Sequence, residues 1–166
     1  MPEPTRQEID LNALLREVLT LYESLASWMH IELAPSLPRL VGDSAQLRQV
    51  IHNLLQNAED ALADSSDPSI VVRSFAVADG TRVTITDNGS GFPEQLMRRA
   101  FEPYVTTKPK GTGLGLVIVK KIIEEHGGTV ELDNVAPHGA RVTFTLPVPA
   151  AQLAAQPVAG RAAARA

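Results

Sequence analysis

Apolar residues recur with helical spacing in two long stretches. Leu11, Leu14, Leu15, Val18, Leu21, Tyr22 and Leu25 fall on one face, which predicts a helix with Asp10 at its cap. Leu47, Val50, Ile51, Leu54, Leu55, Ala58, Ala61 and Leu62 trace a second, stronger stripe. Asp43-Ser44-Ala45-Gln46 precedes it with the form of a capping box, and the turn-rich Ser65-Ser66-Asp67-Pro68 follows, so this helix should end near Asp64.

Strands are expected elsewhere. His30 to Leu33 reads as a short one before the break from Pro35 to Pro38. Ile70 to Val77 and Arg82 to Thr86 read as a pair turned at Asp79-Gly80. A short helix should start near Pro93, and residues 101–113 read as a loop. A helix is predicted from Leu114 to about Glu125, stopped by Gly127-Gly128. Thr129–Leu132 and Ala140–Leu146 close the chain as strands. Paired strands with helices between them predict an α+β fold, a two-layer sandwich. Residues 1–9 read as an N-terminal arm, 10–148 as one domain, and 149–166 as an Ala-rich, disordered tail.

Composition narrows the function. The chain has 166 residues, enough for one domain with a real core. Cys is absent, so disulfides, thiolate metal sites and cysteine nucleophiles are excluded. A net charge of -4 disfavours a general nucleic-acid binder, while a local basic patch for phosphate stays open. No apolar run approaches a membrane span, and Met1-Pro2-Glu3-Pro4 lacks a signal-peptide profile. The chain as given reads as cytoplasmic.

Three clusters carry candidate chemistry. Asn53 and Asn57 stand one helical turn apart beside the apolar stripe, where they could border a cleft. An Asn carbonyl oxygen can ligate Mg²⁺ beside substrate phosphates, although the pair alone reads more readily as two solvated helix residues. Asp87-Asn88-Gly89-Ser90-Gly91-Phe92 follows a strand directly. A carboxylate there can accept a hydrogen bond from an exocyclic amine, and Gly89 and Gly91 allow a flat ring close to the backbone, yet an ordinary turn has the same composition. Lys108-Pro109-Lys110-Gly111-Thr112-Gly113-Leu114-Gly115-Leu116 opens a helix, where exposed amides favour anions. It is neither a P-loop nor a dinucleotide fingerprint, and alone it could be a flexible linker. Together the three supply a metal ligand, an amine acceptor and a phosphate cradle, which are the needs of ATP with Mg²⁺.

These residues also resemble a known family. Gln49-Val50-Ile51-His52-Asn53-Leu54-Leu55-Gln56-Asn57-Ala58 looks like the N box of the GHKL superfamily of ATP-binding domains. Asp87-Asn88-Gly89-Ser90-Gly91 looks like its G1 box, Phe101-Glu102-Pro103-Tyr104 its F box and Gly111-Thr112-Gly113-Leu114-Gly115-Leu116 its G2 box. Within the superfamily the chain resembles the catalytic domains of sensor histidine kinases over roughly residues 10–148. Thr106-Thr107-Lys108 and the stretch from Asp10 to Glu23 are most like the nitrogen-regulation kinases of the NtrY and NtrB type.

The resemblance implies a Bergerat fold, helices on one face of a mixed sheet. It implies Mg²⁺ on Asn57, assistance from Asn53, and Asp87 accepting the adenine amino group. Gly89 and Gly91 would shape the adenine pocket, and Phe101 would be among the nucleotide-binding residues. Residues 102–113 would form a mobile lid, with Thr107, Lys108, Gly111, Thr112, Gly113, Leu114 and Gly115 at the nucleotide and Lys108 at the γ-phosphate. The family's acceptor is a histidine on a separate dimerisation domain, in a His-Glu or His-Asp motif. None of His30, His52, His126 and His138 is followed by an acid, so the chain is read as a fragment of a longer kinase. The fragment is expected to be monomeric and its parent a homodimer, anchored in a membrane as such sensors usually are. The parent would act indirectly on a response regulator receiver domain.

Two other readings stand beside this one. ATP-hydrolysing members of the superfamily carry a Glu where this chain has Asn53, an amide that cannot act as a base. Asp60 resembles an Asp of that branch, while Glu59 is expected to point elsewhere. An anti-sigma-like switch kinase would have a similar pocket. His126, at a helix C-terminus before two glycines, is expected to be structural, His52 is expected to be a packing or surface residue, and Trp28 and Met29 are expected in the core or against a missing domain.

Overall fold

A computed structural model describes residues 5–102 and 115–154. Among these, a five-stranded mixed sheet runs in the order β2-β4-β5-β7-β6. Its strands are β2 (Met29–Glu32), β4 (Ile70–Val77), β5 (Gly80–Asp87), β6 (Thr129–Asn134) and β7 (Ala140–Pro147). Only β2 and β4 pair in parallel; β4–β5, β5–β7 and β7–β6 are antiparallel. Alternation along β4 and β5 sends Ile70, Val72, Val83 and Ile85 to one buried face. Helices α1 (Leu11–Leu19), α2 (Ser44–Ala61) and α4 (Gly115–Glu125) contribute Leu15, Val18, Val50, Leu55, Val119 and Ile123 to the same core, and the short helix expected near Pro93 is α3 (Glu94–Met97). The fold is the two-layer α+β sandwich that the strand and helix order predicts.

Four local features depart from the sequence expectations. The first helix is shorter. It ends at Leu19 and gives way to a 3-10 turn over Glu23–Trp28, which leaves Leu21 66% exposed. The expected arm carries a strand, β1 (Gln7–Ile9), paired with β3 (Leu40–Gly42) and burying Ile9. The expected tail begins with a short helix, α5 (Ala150–Ala154), whose Leu153 packs on the core. Ala61 faces outward rather than joining the α2 stripe.

The capping box forms only in part. Asp43 Oδ1 accepts from Gln46 N at 3.1 Å as expected. The reverse bond is absent: Asp43 N donates to His126 Nε2 at 3.0 Å, and the buried Gln46 Oε1 has no partner. A residue distant in sequence has displaced the local one.

One buried polar cluster joins the layers. Asn12 donates to the Ala34 carbonyl at 2.8 Å and accepts from Ser74 Oγ at 2.7 Å, and Ser74 Oγ accepts from Ala34 N at 2.9 Å. Each group finds a partner, so the cluster specifies the seat of α1 on β4 without an orphaned dipole.

Candidate nucleotide site

Helices α2 and α4 are neighbours and run antiparallel: the N-cap of α2 meets His126 just past α4, and Asn53 meets Gly115 at the start of α4. Asn53 Nδ2 lies 3.4 Å from the Gly115 carbonyl oxygen, a weak bond. A side-chain carbon built on Gly115 would stand 3.8 Å from Asn57 Oδ1. Both amides therefore border the same helix N-terminus, an end that favours anions.

Ala61, four residues beyond Asn57, completes the line along α2. Its carbonyl oxygen would be 2.7 Å from a Cβ on Gly89, so the glycine lets the loop after β5 lie against α2. Asp87, at the end of β5, is in that loop's root, with its Oδ1 accepting from Gly89 N at 2.9 Å. The tertiary structure thus gathers Asn53, Asn57, Gly89, Asp87 and Gly115 along one edge of α2.

Asp87 is 8% exposed. Burial pushes its carboxyl above the usual carboxylate range, while the backbone N–H groups of Gly89 and Ala140 act in the opposite direction. A buried carboxylate can accept a directional bond from an amine with little competition from water.

Residues outside the expected set brace this loop. Gly91 has φ +76°, and a Cβ there would meet Asn134 Oδ1 at 2.7 Å. Asn134 accepts from Phe92 N at 2.9 Å and donates to the Phe92 carbonyl at 2.8 Å. His138 Nδ1 lies 3.1 Å from the Gly89 carbonyl. Asn88 accepts from Ser69 N and donates to the Asp67 carbonyl, each at 2.8 Å. The β6–β7 connection thus props the loop from one side and the segment before β4 from the other. No local pattern marks Asn134 or His138, whose partners lie 42 and 49 residues away in sequence.

Phe101 stands against α4 in a shallow groove with Val117, Lys120, Lys121, Glu124 and Glu125, and Lys120 Nζ lies 5.9 Å from its ring centre. Thr107, Lys108, Gly111, Thr112, Gly113 and Leu114 lie outside the described residues. Burial first, and the charge of Glu59 second, raise the Tyr22 hydroxyl above its usual range. Tyr22 OH lies 2.8 Å from His52 Nδ1, so His52 is engaged in packing rather than standing free at the surface. Trp28 and Met29 pack against the core.

Among the described residues no three His, Cys, Asp or Glu side chains gather as a metal set, and no helix is long and apolar enough to cross a membrane. The Asn57 amide oxygen, beside the start of α4, fits a ligand to Mg²⁺ held together with phosphate.

Comparison with known proteins agrees with this geometry. Residues 42–150 match the family described as histidine kinase-, DNA gyrase B-, and HSP90-like ATPase. The sensor histidine kinase ZraS of Escherichia coli O157:H7 is 36% identical over 146 residues, 86% of this chain and 31% of that protein. A putative NtrY-like sensor histidine kinase of Rickettsia bellii is 45% identical over 98 residues, 59% of this chain and 16% of that protein. The chain therefore spans about a third or less of these relatives' length. The nucleotide-free catalytic domain of the histidine kinase ThkA superposes with a TM-score of 0.77 at 34% identity, covering 87% of this chain and 99% of that one. ThkA has also been solved in complex with the response regulator TrrA; that chain is 29% identical, with a TM-score of 0.70 over 87% of this chain and 42% of its own. With helices on one face of a mixed sheet and the asparagine pair beside the start of α4, the chain belongs to the histidine kinase-, DNA gyrase B- and HSP90-like ATPase family, as a sensor histidine kinase catalytic, ATP-binding domain.

Proposed function

We propose that this chain binds ATP with Mg²⁺ and delivers the γ-phosphoryl group to a histidine on a separate dimerisation domain of its parent kinase. The observation that carries the proposal is the shared edge of α2, with Asn53 and Asn57 against Gly115 and Ala61 against Gly89. Asn57 would hold Mg²⁺ through its amide oxygen, Asn53 would orient phosphate oxygens, and Asp87 would accept the adenine amino group. When bound, Mg²⁺ would offset phosphate charge and polarise the transferred group. Phe101, Thr107, Lys108 and Gly111 to Gly115 would close over the nucleotide, with Lys108 at the γ-phosphate.

Asn53 stands where the hydrolysing branch carries a Glu, and an amide cannot activate water as a base, which supports transfer over hydrolysis. A response regulator receiver domain would be the eventual recipient, in keeping with the ThkA complex. Residues 10–148 would form the catalytic unit, monomeric by itself and paired in a homodimeric, membrane-anchored parent whose catalytic part faces the cytoplasm.

Calorimetric titration with ADP, with and without Mg²⁺, tests the reading. Asn57→Ala should abolish the gain that Mg²⁺ brings and leave metal-free ADP binding nearly intact. Equal loss of both would remove Asn57 from the metal.

A further inference from the structure

The far end of the α2–α4 pair holds a junction with no part in the nucleotide edge. Asp43 serves three elements at once. Its Oδ1 caps α2 through Gln46 N, its Oδ2 accepts from Thr5 N at 2.9 Å, and its own N–H donates to His126 Nε2 at 3.0 Å. His126, buried at the end of α4, completes the link with Nδ1 at 2.8 Å from the Ile122 carbonyl. Accepting from Asp43 N requires a bare Nε2, so the proton sits on Nδ1. Arg6 reaches the same helix end, its guanidinium 2.9 Å from the Glu125 carbonyl.

The site is built for this imidazole. A Cβ on Gly42 would meet His126 Cδ2 at 2.7 Å and Nε2 at 2.9 Å, so only glycine leaves the ring its place. The local alternative, Gln46 Oε1, is left buried and unpaired. An orphaned acceptor is an expense that the fold offsets by gaining the long-range bond instead.

We propose that Asp43 and His126 are positioning residues that set the register of α4 against α2 and tie it to the segment entering at Thr5. Two stiff antiparallel helices pinned at one end transmit a shift along their axes to the other end. That other end is where Asn53 and Asn57 face Gly115, so a pull on residues 5–9 alters the amide-to-helix spacing. The functional half of this inference rests on the metal assignment to Asn57 made above; the register half does not.

The test uses the full chain carrying Gly42→Ala or His126→Leu. Leu keeps an apolar side chain at the helix end but offers no nitrogen to accept from Asp43 N. Each variant should reduce the Mg²⁺-dependent gain in ADP affinity about fivefold, and the double variant should be little worse than either single one. Metal-free ADP affinity should stay within about twofold, because the Asp87 loop is not held by this junction. In the nucleotide-free chain, amide exchange at Val119 and Lys120, in the first bonded turn of α4, should quicken. Folded variants with wild-type exchange at these amides overturn the proposal whatever the metal does. Loss of metal-free and metal-dependent binding in equal measure also overturns it, by reducing the junction to a general stabiliser. If the wild-type chain shows no Mg²⁺ gain, the metal assignment fails, and amide exchange alone decides the register.

Discussion

Asn134, on β6, holds both backbone polar groups of Phe92, 42 residues earlier, accepting from its N–H at 2.9 Å and donating to its carbonyl at 2.8 Å. This two-way bond closes the loop that starts at Asp87, so the shape of the loop proposed to face adenine depends on a residue of β6. Asn134→Ala removes both bonds, each worth about 1 kcal/mol net. ADP affinity should fall about tenfold with a modest drop in melting temperature, as read by titration and thermal unfolding. Unchanged affinity would mean that the loop keeps its shape without this brace.

Gly89→Ala tests the contact between that loop and α2. The new methyl would sit 2.7 Å from the Ala61 carbonyl and 3.0 Å from Asp87 Oδ1, and backbone must yield. Overpacking of this kind costs about 1–3 kcal/mol. The variant should melt lower and bind ADP poorly with or without Mg²⁺, in contrast to Asn57→Ala.

Gly115→Ala should separate stability from function. Among the described residues a Cβ there meets only ordinary contacts, 3.8 and 3.9 Å from the Asn57 amide atoms, and φ is not left-handed. Alanine in a helix should stabilise the nucleotide-free domain by about 0.5–1 kcal/mol. It should also fill the space between Asn57 and the helix start and weaken Mg²⁺-dependent binding. A variant both more stable and fully active would place the phosphates elsewhere.

Asp87 leads to a pH prediction. Its carboxyl titrates above the usual aspartate range because it is buried. In the proposed role the ionised form would accept from the adenine amino group, so binding should be full above this raised value and lost as pH falls through it. The loss should therefore begin at a higher pH than an ordinary aspartate would give. For the nucleotide-free fold the sign is opposite: the carboxyl's contribution to stability is present below the unfolded value and is lost as pH rises through the folded one. Asp87→Asn should flatten the pH profile of ADP affinity in this range and weaken binding by about 1.5–3 kcal/mol at neutral pH. An unaltered profile in that variant would assign the titration to another group.

Periodicity carried most of the secondary structure, since α2, β4, β5 and β7 bury a regular face that can be read one residue at a time. It failed where burial came from a distant partner. Gln7–Ile9 looked like an arm because three residues show no period, and only β3 makes them a strand. Leu21 matched the α1 stripe, but the helix turns into a 3-10 segment before reaching it.

The candidate site divides in the same way. Asn53 and Asn57 share a helix face by spacing alone, and Asp87 with Gly89 and Gly91 stood out by composition. The sequence by itself determined which residue types were on offer, because helix and strand periods and the motif spacings are local properties of the chain. Only the tertiary structure decided that Gly115 meets the asparagines, that Asn134 props Phe92, and that His126 takes the Asp43 N–H from Gln46. Those pairings join residues far apart in sequence, and their partners are chosen by the packing of α4 and the β6–β7 connection against α2 and β5, which no local pattern encodes.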